Sequence, residues 1–153
     1  MPRIDIDAVP ARVGTGYPKI FAAIAEGRSR KRLGDAAGLD QFGVNLTTLA
    51  PGAGTAHRHW HHSEDEFVFV LAGEATLIDD DGETILVAGD AAGFKAGVAN
   101  AHQIVNKSSR DVVLLEIGTR AAQDRGVFPD IDLAFVKDDT GSRFTRASGE
   151  AFD

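Results

Sequence analysis

His57-Arg-His-Trp-His-His-Ser-Glu-Asp-Glu-Phe-Val-Phe-Val-Leu-Ala-Gly73 is the stretch on which the reading of this chain turns. Four of the five histidines fall between His57 and His62, and three acids, Glu64, Asp65 and Glu66, follow at once. Imidazole and carboxylate crowded at the mouth of an apolar strand is how a protein assembles a divalent-metal site. His59 and His61 are two apart, so an extended chain points both to one face. His57 shares their parity. Trp60 has the opposite parity and reads as packing. Glu66 opens the next strand after a short loop, and adjacent antiparallel strands bring such residues within reach of one ion. A histidine-rich segment can also be a solvated turn. The density of imidazoles here, with a glutamate at the right step, favours metal.

The pattern around this stretch has period two. Phe42, Val44, Leu46 and Thr48 share one face of a first strand, broken by Pro51-Gly-Ala-Gly54. Strands are expected around 57–61, 66–71, 75–78, 84–87, 91–94, 102–106 and 112–117. Asp80-Asp-Gly82 marks a hairpin turn, and Gly89-Asp90 marks another. Many short strands with Gly/Asp punctuation and no long helix predict an all-β sandwich or barrel. Several strands, 67–71 and 112–117 above all, are apolar on both faces. A barrel interior uses only one of them, so the other predicts cover from the termini or from a second subunit, and a homodimer is expected.

Residues 1–40 read as an N-terminal arm with a short helix opened by Pro18, striped by Ile20, Phe21 and Ile24, and ended by Gly27. A basic cluster follows: Arg28, Arg30, Lys31 and Arg32. Its plainest reading is a solvated or carboxylate-paired face, and its sharper one is a phosphate site should the arm fold over the barrel mouth. Residues 41–119 form the barrel. Residues 120–153 are a polar C-terminal extension packing on it, with 131–136 as an edge strand or a segment laid across the barrel.

Length and composition set the outer bounds. A chain of 153 residues with 43% hydrophobic and 25% charged content suits one domain with a full core. A net charge of −7 argues against a nucleic-acid partner. Absence of cysteine excludes thiolate metal sites and disulfides. No signal-peptide pattern or membrane-length apolar run is present, so a cytoplasmic protein without a membrane partner is expected.

The chain resembles the cupin superfamily, whose first motif is G-x5-H-x-H-x(3,4)-E-x6-G. Two registers are open, His57/His59/Glu64 and His59/His61/Glu66, and only the second puts a glycine, Gly73, six residues beyond the glutamate. The leading glycine position holds Ala53, between Gly52 and Gly54. The second motif, G-x5-P-x-G-x2-H-x3-N, is met by Gly89, Gly97 and Asn106. Lys95 stands in place of the proline, and Asn100 at the strict histidine position. His102 keeps the spacing to Asn106, consistent with a two-residue insertion that makes it the fourth ligand, with Asn100 as the alternative for that position. The resemblance implies a double-stranded β-helix (jelly-roll) barrel with extended terminal arms. It also implies one divalent transition metal (Zn, Mn, Fe or Ni) held by His59, His61, Glu66 and His102. His57, Glu64, Lys95 and Asn100 are expected around that site as second-layer or rim groups. Flanking phrases such as Leu33-Gly-Asp-Ala-Ala-Gly38 and Phe128-Pro-Asp-Ile-Asp-Leu133 are similar to small bacterial cupins labelled sugar-phosphate or mannose-6-phosphate isomerase-like.

Those resemblances imply a metal-dependent, isomerase-like enzyme with a small polar substrate. A mononuclear iron dioxygenase and a non-enzymatic metal or small-molecule binding module stay open as alternatives. Glu116 is the first candidate for catalysis, because it is the one charge in an apolar strand. Facing inward it becomes a desolvated base. Facing outward it becomes one half of a surface ion pair.

Overall fold

Alternating side chains and frequent glycine turns give the chain thirteen short strands in a computed structural model that describes residues 2–153. They are β1 (Ala11–Val13), β2 (Arg28–Arg32), β3 (Phe42–Leu49), β4 (Trp60–His61), β5 (Glu66–Ala72), β6 (Glu74–Asp79), β7 (Gly82–Val87), β8 (Ala91–Phe94), β9 (Gln103–Val105), β10 (Val112–Thr119), β11 (Asp124–Phe128), β12 (Leu133–Asp138) and β13 (Gly141–Thr145). All pair antiparallel in two layers. One layer is the six-stranded sheet β1-β2-β3-β10-β5-β8. The other joins β7-β6-β9 to β4-β11-β12-β13. Isolated bridges, Gly54 with Val105 and His59 with His102, stitch its two parts together. The result is the expected all-β jelly-roll barrel. Among the described residues no helix is long and apolar enough to cross a membrane.

The turns sit where local chemistry demands. β6 and β7 close with Asp79 opposite Gly82, whose φ is +124°. Gly73 joins β5 to β6 at φ +84°, and a Cβ there would lie 2.5 Å from the Asp111 carbonyl, so no other residue fits. Asn106 is fully buried and donates to the carbonyls of Leu49 and Arg110, which ties the end of β9 to the end of β3 and to the loop before β10.

Four features differ from the sequence reading. The arm supplies two strands to the main sheet: β2 pairs along β3, and β1 along β2. Its helix over Lys19–Ala25 is 3-10 rather than α, in keeping with a run of two turns between Pro18 and Gly27. The tail forms a meander in which β12 is a central strand between β11 and β13 rather than an edge. Finally, the inward face of β3 carries Thr47 and Leu49, both 0% exposed, not the more apolar set Val44 and Leu46. A barrel that keeps a polar hollow turns polar residues inward there.

The apolar core occupies one end of the barrel. Leu49, Val68, Val70, Ala75, Leu86, Ile104, Val112 and Leu114 form one buried cluster. Two residues along β10 from Leu114 comes Glu116, and one step beyond Val68 on the same face of β5 comes Glu66. The strands that pack the closed end therefore carry charged groups into the open one.

Candidate metal centre

The open end is a cleft of about 940 Å³ between the sheets. His59 and His102 come face to face because their backbones bond reciprocally, His59 N–H to His102 O at 3.0 Å and His102 N–H to His59 O at 2.9 Å. His61 extends from β4, and Glu66 enters from β5 in the opposing sheet. Glu66 is the hub. Its Oε2 lies 2.8 Å from His102 Nε2 and 3.4 Å from His59 Nε2, and its Oε1 lies 3.3 Å from His61 Nε2. The ligating atoms of His59, His61 and Glu66 all fall within 4.8 Å of one another.

Two tautomers follow from the partners of the other ring nitrogens. His59 Nδ1–H donates to the His57 carbonyl at 2.8 Å, and His61 Nδ1–H donates to Asp124 Oδ2 at 2.5 Å. In the neutral form of each ring, Nε2 is thereby the nitrogen that offers a lone pair, and both lie toward Glu66. Glu66 Oε2 is buried with no properly directed hydrogen-bond donor, although two imidazole nitrogens stand close to it. Lone pairs converging on a carboxylate make sense around a cation. Atoms bound to one ion at about 2.0–2.2 Å sit roughly 3.0–3.5 Å apart, which matches the 3.4 and 3.3 Å that separate His59 and His61 from Glu66. The residues present fit a divalent metal.

Without a cation, the cluster has to keep a proton. Burial by itself lowers His61, but Glu66 and Asp124 outweigh it and push this histidine up to about 9. Burial lowers His102 below the ordinary histidine value, against the pull of Glu66. Burial also raises the Glu66 carboxyl, yet His102, His59 and His61 more than offset it and hold it well below the usual carboxylate range. His61 is therefore the group a metal must deprotonate.

Aromatic rings wall the cluster. Phe94 stacks on His102 with centroids 3.5 Å apart, and Phe128 stacks on His59 at 5.4 Å. Asp124 is the main group that the sequence reading missed. It is buried, it grips the Ser63 N–H at 2.9 Å as well as His61, and it sits at the start of a strand in the polar tail. Nothing local marks it as different from the other acids there.

The remaining candidates scatter. Glu64 lines the cleft, where Lys137 holds it at 3.0 Å. With His61 and Asp124 it makes a second group of possible metal-binding atoms. His61 Nδ1 already belongs to Asp124 there and Glu64 to Lys137, so Asp124 orients His61 more readily than the group binds a second ion. His57 turns out of the cleft, packed against Tyr17 and Phe21, with its Nε2 2.8 Å from the Phe21 carbonyl. Lys95 is exposed. Asn100 accepts from the Asp80 N–H at 2.9 Å and so braces the β6–β7 turn. Of the two alternatives for the fourth position, His102 and not Asn100 stands beside Glu66. Glu116 faces inward and is also ion-paired, combining both expectations: Arg30 grips it through Nε at 2.9 Å and Nη2 at 3.1 Å, and the Thr47 hydroxyl donates to it.

Comparison with known proteins places this geometry in context. Residues 45–118 match the Cupin domain family. The chain is 43% identical to a sugar phosphate isomerase from a cupin superfamily, from Silicibacter pomeroyi, over 99% of this chain and 97% of that one, with a TM-score of 0.95. It is 33% identical to a putative sugar phosphate isomerase from Acidithiobacillus ferrooxidans, covering 79% and 77% of the two chains, with a TM-score of 0.73. A polyketide cyclase from Streptomyces resistomycificus shares the fold at 20% identity, 78% and 79% coverage and a TM-score of 0.63. No curated protein matches the chain.

Proposed function

The chain belongs to the cupin superfamily, and from that premise we propose a metal-dependent enzyme that isomerises a small polar substrate of the sugar or sugar-phosphate kind. The observation that carries this reading is the convergence of His59, His61 and His102 on Glu66 at the bottom of an open cleft. The names of the two relatives above 30% identity point the same way.

His59, His61, Glu66 and His102 would hold Zn, Mn, Fe or Ni through three nitrogens and one oxygen. A divalent ion bound by them supplies Lewis acidity toward adjacent substrate oxygens and stabilises negative charge as a neighbouring carbon loses its proton. The chain's own residues do the rest. Asp124 fixes the His61 ring, and Phe94 and Phe128 shield the cluster from water on the sides they cover. Glu116 takes the carbon-bound proton on its carboxylate and returns it to the neighbouring carbon. Its pairing with Arg30 keeps the carboxylate aimed into the cleft. Tyr17 also lines the cleft, and burial raises its phenol, so it stays protonated as a hydrogen-bond donor to a substrate oxygen.

Incubation of metal-loaded protein with aldose and ketose phosphates in D2O tests the reaction. Metal-dependent deuterium incorporation at the carbon next to the carbonyl is expected, lost in Glu116→Gln. Absence of exchange across such substrates removes the isomerase reading. Stoichiometric O2 uptake would replace it with the iron dioxygenase, and binding without turnover with a binding module. We also propose a homodimer through the outer face of the six-stranded sheet, where Phe67 and Leu71 are 43% and 45% exposed. Sedimentation at the monomer mass would exclude it.

A further inference from the structure

One wall of the cleft is built from arginines that the chemistry above leaves largely unused. β2 reads Arg28-Ser-Arg30-Lys-Arg32, so strand parity points three guanidiniums to one face and Ser29 and Lys31 to the other. β1 pairs with β2 such that Arg12 lies directly across from Arg30. All four arginines line the cleft. Like charges facing each other across paired strands destabilise the pairing. β1 has little to set against that cost, being three residues long and exposed throughout.

Compensation within the protein is thin. Glu116 is the acid bonded to this group, and of the four arginines Arg30 alone bonds to it. Arg28 is 7% exposed, yet its amino groups go to the carbonyls of Thr55 at 2.6 Å and Gly14 at 2.8 Å rather than to a carboxylate. Asp35, the next acid along the wall, is paired to Arg120. Among the described residues, Arg12 and Arg32 make no side-chain hydrogen bond or ion pair, and Nη1 of Arg30 has no partner. A buried guanidinium without a counter-charge, beside three others with donors to spare, points to an anion from outside.

We infer that this wall is a phosphate subsite, in which Arg12, Arg30 and Arg32 bind the dianionic monoester end of the substrate. Arg28 is a positioning residue beneath them, holding the Gly14 loop of the arm and the Thr55 backbone in place. Charge selects the ligand class. Four guanidiniums stand against one bonded carboxylate, so a monocarboxylate leaves most of the excess uncompensated and a phosphate dianion removes two-thirds of it. The planar, multi-donor guanidinium suits phosphate oxygens. Glu116 adds preorganisation, because it clamps two nitrogens of Arg30 and leaves Nη1 directed elsewhere.

The inference rests on the cleft being a substrate site, but it is tested by binding and not by turnover. Inorganic phosphate is titrated calorimetrically into metal-loaded and chelator-stripped protein, with acetate at matched ionic strength as the monoanion control. Phosphate is expected to bind both forms and at least tenfold more tightly than acetate. The exposed double variant Arg12→Gln/Arg32→Gln is expected to weaken phosphate at least tenfold while keeping its metal and without lowering its melting temperature. Arg30→Gln should weaken it similarly. Undiminished binding in the double variant, binding no tighter than acetate, or binding that vanishes with the metal each overturns the subsite. Intact phosphate binding without any isomerisation removes the reaction proposed above and leaves the subsite standing.

Discussion

The two ends of one barrel are made from the same strands and do opposite things. At the closed end Leu49, Val70, Val112 and Leu114 are all 0% exposed, and each fully buried aliphatic side chain contributes about 1.5–3 kcal/mol relative to exposure. At the open end the same three strands, β3, β5 and β10, present Asn45, Glu66 and Glu116 to the cleft. The two carboxylates are held in place by partners from other elements, Glu66 by His102 and Glu116 by Arg30. Stability and chemistry are thus separated along each strand by one or two inward-facing positions. Substitutions at the two ends should be separable in the same way.

The sharpest separation is expected from Glu66→Ala. It removes the hub of the cluster, so metal affinity should fall by at least a hundredfold by elemental analysis and competition with a chelator. The barrel should remain folded, and the melting temperature should no longer respond to chelation. Unchanged metal content would remove Glu66 from the ligand set. Leu114→Ala tests the other end. It should cost about 2–5 kcal/mol in denaturant unfolding because the cavity lies in a fully buried cluster. Metal stoichiometry of the folded fraction should stay at the wild-type value, and a parallel loss of metal would show that the two ends are coupled.

A smaller effect is expected at Asp124→Asn. The side chain keeps its shape but loses the charge that holds His61 Nδ1–H, and such outer partners affect metal affinity by about 10–100-fold. Affinity equal to wild type would reduce Asp124 to a structural role in the Ser63 loop. The mildest test uses pH. In the metal-free protein, His61 is raised to about 9, so its contribution to stability is full below the unfolded value near 6.5 and is lost as pH rises through about 9. A cation competes for the same nitrogen. The gap in melting temperature between metal-loaded and chelated protein should therefore widen from about pH 6.5 to about pH 9. A gap that narrows would mean that His61 is not the protonated member of the free cluster.

Much of the barrel was readable locally. The Asp80-Asp81-Gly82 turn, Gly73 and the run of β5 follow from short-range rules of glycine conformation and strand parity. The arm was not readable in the same way. Residues 28–32 carry no apolar alternation, because their inward face meets a polar cleft, so the usual signal of a strand is absent where the strand does chemical work. The same inversion explains β3, whose more apolar set faces outward while Asn45 and Thr47 look in.

By itself the sequence determined the strand-rich fold and its main turns, because parity and turn chemistry are properties of neighbouring residues, while the resemblance to the cupin motifs put forward His59, His61, Glu66 and His102 as donors, with Asn100 as the alternative to the last. Only the tertiary structure decided that His57 turns away while Asp124 grips His61, and that Arg30 reaches Glu116 across 86 positions of chain. Those outcomes depend on which distant strands pair and in what register. Between strands far apart in sequence no turn fixes the register, and the packing of the barrel interior settles it.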